Sequence, residues 1–392
     1  MSTEQPFQIS IPDAALAALK HKLLEARFPD ELDAAGWDYG VPLADMKRLV
    51  ARWADGYDWR AAEARFNALP NFTRDIAVKD FGTLNIHYIH QRSTRSNAIP
   101  LLFVHGWPGN FIEATKILPL LVNAPDNKPS FHVVAIGLPN FGFSEGTRKR
   151  GFAGHQYAEV GHKLMLALGY EEYVVQGGDW GHFICSTIAM NYGPQHAKAW
   201  HTNFPKAPPP TDPALKENYS QADIARLEYN ELWSKHGQGY YLEQATKPQT
   251  IGYAFADSPV ALLAWIYEML VGYTDGYEWE DDEVLTWISI YWFSRAGPAS
   301  SVRIYYEFEH ANQVAELPRP TIPLGVSYFP KENVSSPLSW ASGIGNVVFQ
   351  SEHPKGGHFA AYEQPAALVD DLRRMYGRSG PAFGVVPGKT GY

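Results

Sequence analysis

The chain has a single cysteine, Cys185, among its 392 residues. That excludes an internal disulfide and any metal site built on several thiolates, and on the apolar helical pattern where it falls the thiol reads as a small buried side chain. No run of about eighteen apolar residues occurs, so no transmembrane helix is expected. The N-terminus, Met1-Ser-Thr-Glu-Gln-Pro-Phe7, has no basic stretch followed by an apolar one. No secretory signal is therefore expected, and the chain reads as soluble and cytoplasmic. Positive charge is also scarce: 33 Lys and Arg against 42 Asp and Glu give a net charge of −9. Such a surface offers no basic footprint for nucleic acid or an anionic membrane. No metal-ligand spacing is found, and neither a metal nor an organic cofactor is expected.

What the chain does have is apolar mass. It is 45% hydrophobic and only 19% charged, enough to bury a sizeable core in one large embellished domain or in two. Aromatics make up 14%, with 12 Trp, 22 Tyr and 20 Phe, which suits both core packing and an aromatic-lined pocket.

Three helical patterns open the chain: Leu16, Leu19, Leu23 and Leu24 before Pro29, then Leu43 to Trp53, then Trp59, Ala62 and Phe66. Alternating segments at residues 75–79 and 84–90, separated by Gly82, predict an antiparallel hairpin. The pattern then changes to short continuous apolar runs divided by helices, the signature of a parallel sheet buried on both faces. Leu101–Val104, Val133–Ile136, Tyr173–Val175, Ala199–His201, Leu324–Tyr328 and Val347–Phe349 are the predicted strands. Between residues 206 and 318 the strand signal lapses into helical patterns dense in Tyr and Trp, which predicts a helical lid over the carboxyl edge of the sheet. The expected division is a helical meander over 1–73, an α/β core over 74–205 and 319–392, and a lid over 206–318. The fold class is α/β, a mostly parallel sheet with helices on both faces.

Gly177-Gly178-Asp179-Trp180-Gly181 follows a predicted strand and precedes the helical pattern Phe183–Met190. Very small residues two positions either side of a tip are what a nucleophile elbow requires, because its strained turn brings strand and helix into close contact. Serine is the usual occupant of the tip. An aspartate there points instead to attack on a carbon bearing a leaving group, with an alkyl ester as intermediate. An elbow needs an acid and then a histidine further along. His358, in Gly356-Gly357-His358-Phe359, follows the last predicted strand, and Glu332, in Phe329-Pro330-Lys331-Glu332, follows the preceding one. Asp257 and Asp281-Asp282-Glu283 are rivals for the acid but lie inside the lid and break the order. His105-Gly106-Trp107-Pro108-Gly109 leaves the first parallel strand, where such folds supply an oxyanion-hole N–H. The backbone N–H groups of Trp107 and Trp180 are the expected pair.

His105-Gly-Trp-Pro, Gly177-Gly-Asp-Trp-Gly, Phe329-Pro-Lys-Glu332, Gly357-His358-Phe359 and Phe66-Asn-Ala-Leu-Pro-Asn-Phe72 together resemble the microsomal-type epoxide hydrolases, of the α/β-hydrolase fold. The resemblance covers nearly the whole chain. It implies hydrolysis of a small apolar epoxide to a vicinal diol, with two lid tyrosines as acids on the epoxide oxygen. Tyr240 matches the first, with Tyr241 as its neighbour and competitor. Tyr305 matches the second, with Tyr306 beside it. The mammalian microsomal enzymes carry an N-terminal membrane anchor that this sequence lacks, which places the resemblance in a soluble microbial branch. Related enzymes can pair through the lid, so a homodimer is compatible.

Trp265, Tyr267, Tyr273, Trp287, Tyr291 and Trp292 of the lid lead to the expectation of an apolar pocket. Three other readings use the same residues. A haloalkane dehalogenase shares the Asp elbow and His base but holds halide with Trp or Asn donors. An esterase fits poorly, since Asp attack on an ester gives an anhydride. A non-catalytic ligand-binding homologue would not need all five catalytic side chains.

Overall fold

The structure, a computed structural model, describes residues 4–212, 217, 219–311 and 319–392. The expected lid boundary at residue 318 and the first three residues lie outside these.

Nine strands form one sheet in the order β1-β2-β3-β5-β4-β6-β7-β8-β9: β1 Gln5–Pro6, β2 Asn71–Val78, β3 Gly82–Gln91, β4 Ile99–Val104, β5 Phe131–Ile136, β6 Tyr173–Gly177, β7 Ala197–Thr202, β8 Pro323–Tyr328 and β9 Asn346–Glu352. All six predicted parallel strands are present. β4 and β6 are buried along their whole length, which is why they read as unbroken apolar runs. The predicted hairpin is β2 and β3, and it is longer than its alternating core. It continues the main sheet, because β3 also pairs antiparallel with β5. The two-residue β1 on its outer edge was not predicted; a strand that short has no period to read.

Helices Asp13–Leu24, Leu43–Ala54 and Trp59–Asn67 form the N-terminal segment. The first ends four residues before Phe28-Pro29, short of the proline that was expected to stop it. Asp58 caps the third, accepting the N–H of Ala61 at 3.1 Å, the local contact that fixes where a helix starts.

Between β7 and β8 the described residues contain helices and no strand. The insertion includes helices Gln221–Leu232, Gly239–Thr246, Pro248–Asp257, Pro259–Gly272, Asp281–Trp292 and Arg303–His310. The N-terminal segment braces its outer side: Arg52 Nε meets Asp282 at 2.9 Å, Tyr57 bonds Thr286 at 2.9 Å, Lys22 meets Asp257 at 2.8 Å, and Arg48 pairs with Asp281. Asp257, Asp281 and Asp282 thus face the N-terminal segment on the outer side of the insertion. Each exposed ion pair contributes about 1 kcal/mol or less, so the brace rests more on Trp59 against Phe293, 5.4 Å between ring centroids. Among the described residues no single helix is long and apolar enough to cross a membrane.

Candidate active site

Five neighbouring strands of the sheet deliver the site from their carboxyl ends. β4 leads into His105–Gly109, β6 into Asp179, β7 into Asn203, β8 into Glu332 and β9 into His358.

Asp179 sits at φ 51°, ψ −129°, a left-handed conformation that costs a side-chain-bearing residue about 1–3 kcal/mol and persists only where surrounding contacts enforce it. Those contacts are visible in the glycines. A Cβ at Gly177 would lie 2.7 Å from the Gly181 carbonyl oxygen and 2.8 Å from that of Val104, and one at Gly181 would overlap the Val104 carbonyl. The elbow is thus clamped against the end of β4. Gly106 is small for a different reason: any side chain there would collide with the Asp179 carboxylate itself.

The carboxylate is held by backbone. Trp107 N–H donates to Asp179 Oδ1 at 2.7 Å, and the Trp180 N–H also bonds the carboxylate. Burial raises the Asp179 pKa, while His358 and these two N–H groups oppose the rise.

His358 Nε2 lies 3.7 Å from Asp179 Oδ2. On its other side Nδ1 lies 2.6 Å from Glu332 Oε1, an arrangement that fixes which ring nitrogen faces Asp179. Glu332 is fully buried, and its Oε1 also accepts the Asn333 N–H at 2.8 Å. The loops carrying the pair are stitched together by a parallel bridge between Lys331 and Gly357. Burial disfavours the imidazolium, but the adjacent charges of Glu332, Asp179 and Glu113 outweigh it and raise His358 to about 9. His358 thus stands between two buried carboxyl groups, Glu332 and Asp179, whose charges favour its protonated form.

Tyr240 and Tyr305 pack on the two tryptophans that supply the N–H groups. Tyr240 stacks on Trp107 at 5.6 Å, and Tyr305 meets Trp107 edge-on at 5.5 Å and Trp180 at 4.8 Å. Burial, then neighbouring negative groups including Asp179, lifts both phenols well above their ordinary value, so both stay protonated at neutral pH. The Tyr305 hydroxyl is buried beside the Trp180 side chain without a hydrogen bond of ordinary geometry, an expensive state for a polar group unless something else occupies it. The neighbouring residues are engaged elsewhere: the Tyr241 hydroxyl bonds exposed Glu309, and Tyr306 stacks on His310 at 3.8 Å.

The expectation that the lid aromatics line one apolar pocket is not how they are used. Trp287 Nε1–H donates to the Pro108 carbonyl at 2.6 Å, and the Tyr291 hydroxyl donates to the Gly109 carbonyl. Tyr273 lies beside His358, and its carbonyl accepts the His358 backbone N–H at 2.8 Å. Tyr267 packs on Trp37, and Trp292 is partly buried against the core. Trp265 borders a cavity of about 580 Å3 between the N-terminal segment and helix Pro259–Gly272, which contains none of the residues above. Indole and phenol groups find polar partners when buried, and here those partners are the loops of the site.

Sequence reasoning missed Glu113 and Asn203, which line the small space beside Asp179 and His358. Among the described residues no group of three or more His, Cys, Asp or Glu is arranged to hold a metal.

A mostly parallel sheet with an acid elbow after β6, a His after the last strand and a helical insertion before β8 defines an α/β-hydrolase-fold protein. Residues 99–250 match the family described as alpha/beta hydrolase fold, and residues 4–114 match the one described as epoxide hydrolase N terminus. The chain is 39% identical to an epoxide hydrolase relative from Stigmatella aurantiaca, over 95% of this chain and 84% of that one. Epoxide hydrolase 1 of Sus scrofa is 31% identical over 95% and 88%. The solved Aspergillus niger epoxide hydrolase superposes with a TM-score of 0.85 at 33% identity, covering 95% of both chains. The chain belongs to the epoxide hydrolase family.

Proposed function

We propose that this protein converts a small apolar epoxide and water to a vicinal diol through a covalent ester on Asp179. The observation that carries the reading is a carboxylate at the elbow tip beneath two buried, protonated phenols, one of them with a hydroxyl that makes no hydrogen bond of ordinary geometry. A carboxylate alone fits any alkyl leaving group, whereas two neutral O–H donors suit a leaving oxygen that must be protonated.

Asp179 Oδ2 attacks an epoxide carbon from the side opposite the C–O bond, and Tyr240 and Tyr305 donate to the ring oxygen. The ring opens to a hydroxyalkyl ester, and one phenol gives its proton to the alkoxide. Esterification removes the Asp179 charge, one of the causes that hold His358 protonated, so the His358 pKa falls. Its proton, passed through water, restores the phenol. Now neutral and oriented by Glu332, His358 is the base that activates water, and the N–H groups of Trp107 and Trp180 hold the oxyanion formed at the ester carbonyl.

The test is a single turnover of styrene oxide in oxygen-18 water with peptide mass analysis. The first diol carries an oxygen from the enzyme, and label enters the peptide containing Asp179. Label found only in the product, never in that peptide, means direct water attack and sinks the ester. The Trp107 indole N–H is buried without a partner and the Trp180 indole N–H lies toward the Tyr305 hydroxyl, and both are donors of the kind that hold halide. Halide released from bromoalkanes with no diol from epoxides would replace this reading by the dehalogenase.

A further inference from the structure

His358 ends a run of three residues whose backbone N–H groups are all taken, and none of the acceptors belongs to the sheet. The Gly356 N–H donates to Asp275 Oδ2 at 3.0 Å, the Gly357 N–H to Glu363 Oε1 at 2.8 Å and the His358 N–H to the Tyr273 carbonyl at 2.8 Å. Tyr273 and Asp275 follow helix Pro259–Gly272 of the insertion, and Glu363 ends the short helix Ala360–Glu363 just beyond the base. Glu363 also reaches across, since its Oε2 accepts the Asp275 backbone N–H at 3.0 Å. One carboxyl thus holds the histidine loop with one oxygen and the insertion with the other. The fit is close: Gly356 sits at φ 110°, and a Cβ at Gly357 would overlap the Tyr273 carbonyl oxygen. Tyr362 anchors the same short helix to the insertion a second time, its hydroxyl donating to Glu283 at 2.9 Å.

Glu363 is buried, and burial raises its carboxyl to about 7; the Asp275 and Gly357 N–H groups and His358 oppose the rise, and the charge of Asp275 adds to it. A neutral amide of the same shape would avoid the penalty of burying a charge. It could not hold both segments. A carboxylate accepts at either oxygen, whereas an amide has one acceptor and would turn its NH2 toward the second N–H. Asp275 differs, because its carboxyl receives one N–H, which an amide oxygen accepts equally well. Asp179 depends on none of these contacts, being set by β6, by the glycines of its turn and by the N–H groups of Trp107 and Trp180.

We propose that Glu363 is a positioning residue for ester breakdown, docking the histidine loop on the insertion so that His358 Nε2 stays over Asp179. This rests on the ester reading above. Glu363 does not border the small space beside Asp179 and His358; it acts through the loop alone and exchanges no proton. Ester formation uses Asp179 and the two phenols, none of which the loop carries. Breakdown needs His358 in reach of a water that already lies against the ester carbonyl, so a small displacement of the loop is felt in that step.

The test mixes styrene oxide with Glu363→Gln and with Asp275→Asn and follows the ester by acid quench and intact-protein mass. In Glu363→Gln, ester formation stays within about threefold of the unmodified protein and ester breakdown slows about 10- to 100-fold, as mispositioning of a reactant does. In Asp275→Asn both steps stay near the unmodified rates. A merely structural role shrinks the amount of ester formed in the first turnover, by the share of protein lost, and leaves the rate at which each ester breaks down unchanged. Should the Gln variant not fold, Glu363→Asp, which keeps both acceptor oxygens on a shorter side chain, is read in the same way, with breakdown slowed and formation kept. Unchanged breakdown in a folded variant at position 363, equal slowing of both steps, or equal slowing of breakdown in Glu363→Gln and Asp275→Asn overturns the role of Glu363. His358→Gln separates the two ideas: it traps ester if the ester reading holds, and epoxide consumed there with no ester ever seen defeats that reading whatever Glu363 does.

Discussion

The indole of Trp287, on the inserted helix Asp281–Trp292, donates its N–H to the carbonyl of Pro108, one residue beyond the Trp107 N–H that holds Asp179. Tyr291, one turn further along, does the same for Gly109. The loop His105–Gly109 is therefore fixed from above by the insertion as well as from below by β4. Trp287→Phe keeps the ring and removes the donor, leaving a buried carbonyl unpaired. A stability loss of about 1–3 kcal/mol is expected in urea unfolding, together with slower ester breakdown. Unfolding at the original midpoint with full activity would show that the loop needs no support from the insertion.

Tyr240→Phe and Tyr305→Phe each remove one of the two proposed donors to the epoxide oxygen. Each is expected to slow ester formation on the order of 100-fold, and the double variant more than either. Tyr241→Phe and Tyr306→Phe are expected to stay near the original rate, since one bonds exposed Glu309 and the other stacks on exposed His310. Stopped-flow ester formation on all four decides between the neighbouring pairs.

Activity is expected to fall as pH is lowered. Protonated His358 is no base, and protonated Asp179 no nucleophile. His358 titrates near 9 in the free site because Glu332, Asp179 and Glu113 hold it charged against burial, and the ester lacks one of those charges. The breakdown step should therefore rise with pH at an apparent pKa below the free-site value. The buried phenols, raised well above 10 by desolvation, put any alkaline loss beyond that pH. Equal midpoints for His358 in the free protein and in breakdown would refute the coupling.

Asp371, on the C-terminal helix Pro365–Tyr376, accepts from Ser327 of β8 at 2.5 Å and faces His353 Nε2 at 2.6 Å. Burial alone would raise its pKa, but these bonds and the nearby His201 and His353 lower it overall. A depressed folded pKa contributes stability that is present above the unfolded value, near 4, and lost as pH falls through the folded one. Asp371→Ala is expected to reduce stability by about 3 kcal/mol at neutral pH, with the difference shrinking in acid. A constant difference down to the lowest pH at which the protein folds would rule this out.

The centre of the sheet was legible because burial on both faces leaves little room for polar residues, so β4, β5 and β6 read as apolar runs, while the half-exposed β9 shows only in its short Val347–Phe349 stretch. The elbow was legible because its steric demand is local: glycine at 177 and 181 answers to atoms of the turn and of adjacent β4. Asp179, His358, Glu332, Tyr240 and Tyr305 are brought together by the fold, and the local environments distinguish the two tyrosines from their neighbours. Glu113 was not legible, since a glutamate four residues past a loop glycine looks like any solvated charge. Trp287 and Tyr291 could be read as buried, but not for what they bond, because their acceptors lie on a distant segment joined to them only by the fold.

The N-terminal brace gives the insertion a dependence that its place between β7 and β8 conceals. Helices Leu43–Ala54 and Trp59–Asn67 grip its outer side, while its inner side holds the carbonyls of Pro108 and Gly109 and, through Tyr273, the backbone of His358. Transplanting this segment alone onto a related scaffold would leave behind both its grip and its cargo. New substrate range is therefore better sought by changing side chains in place than by exchanging the whole element.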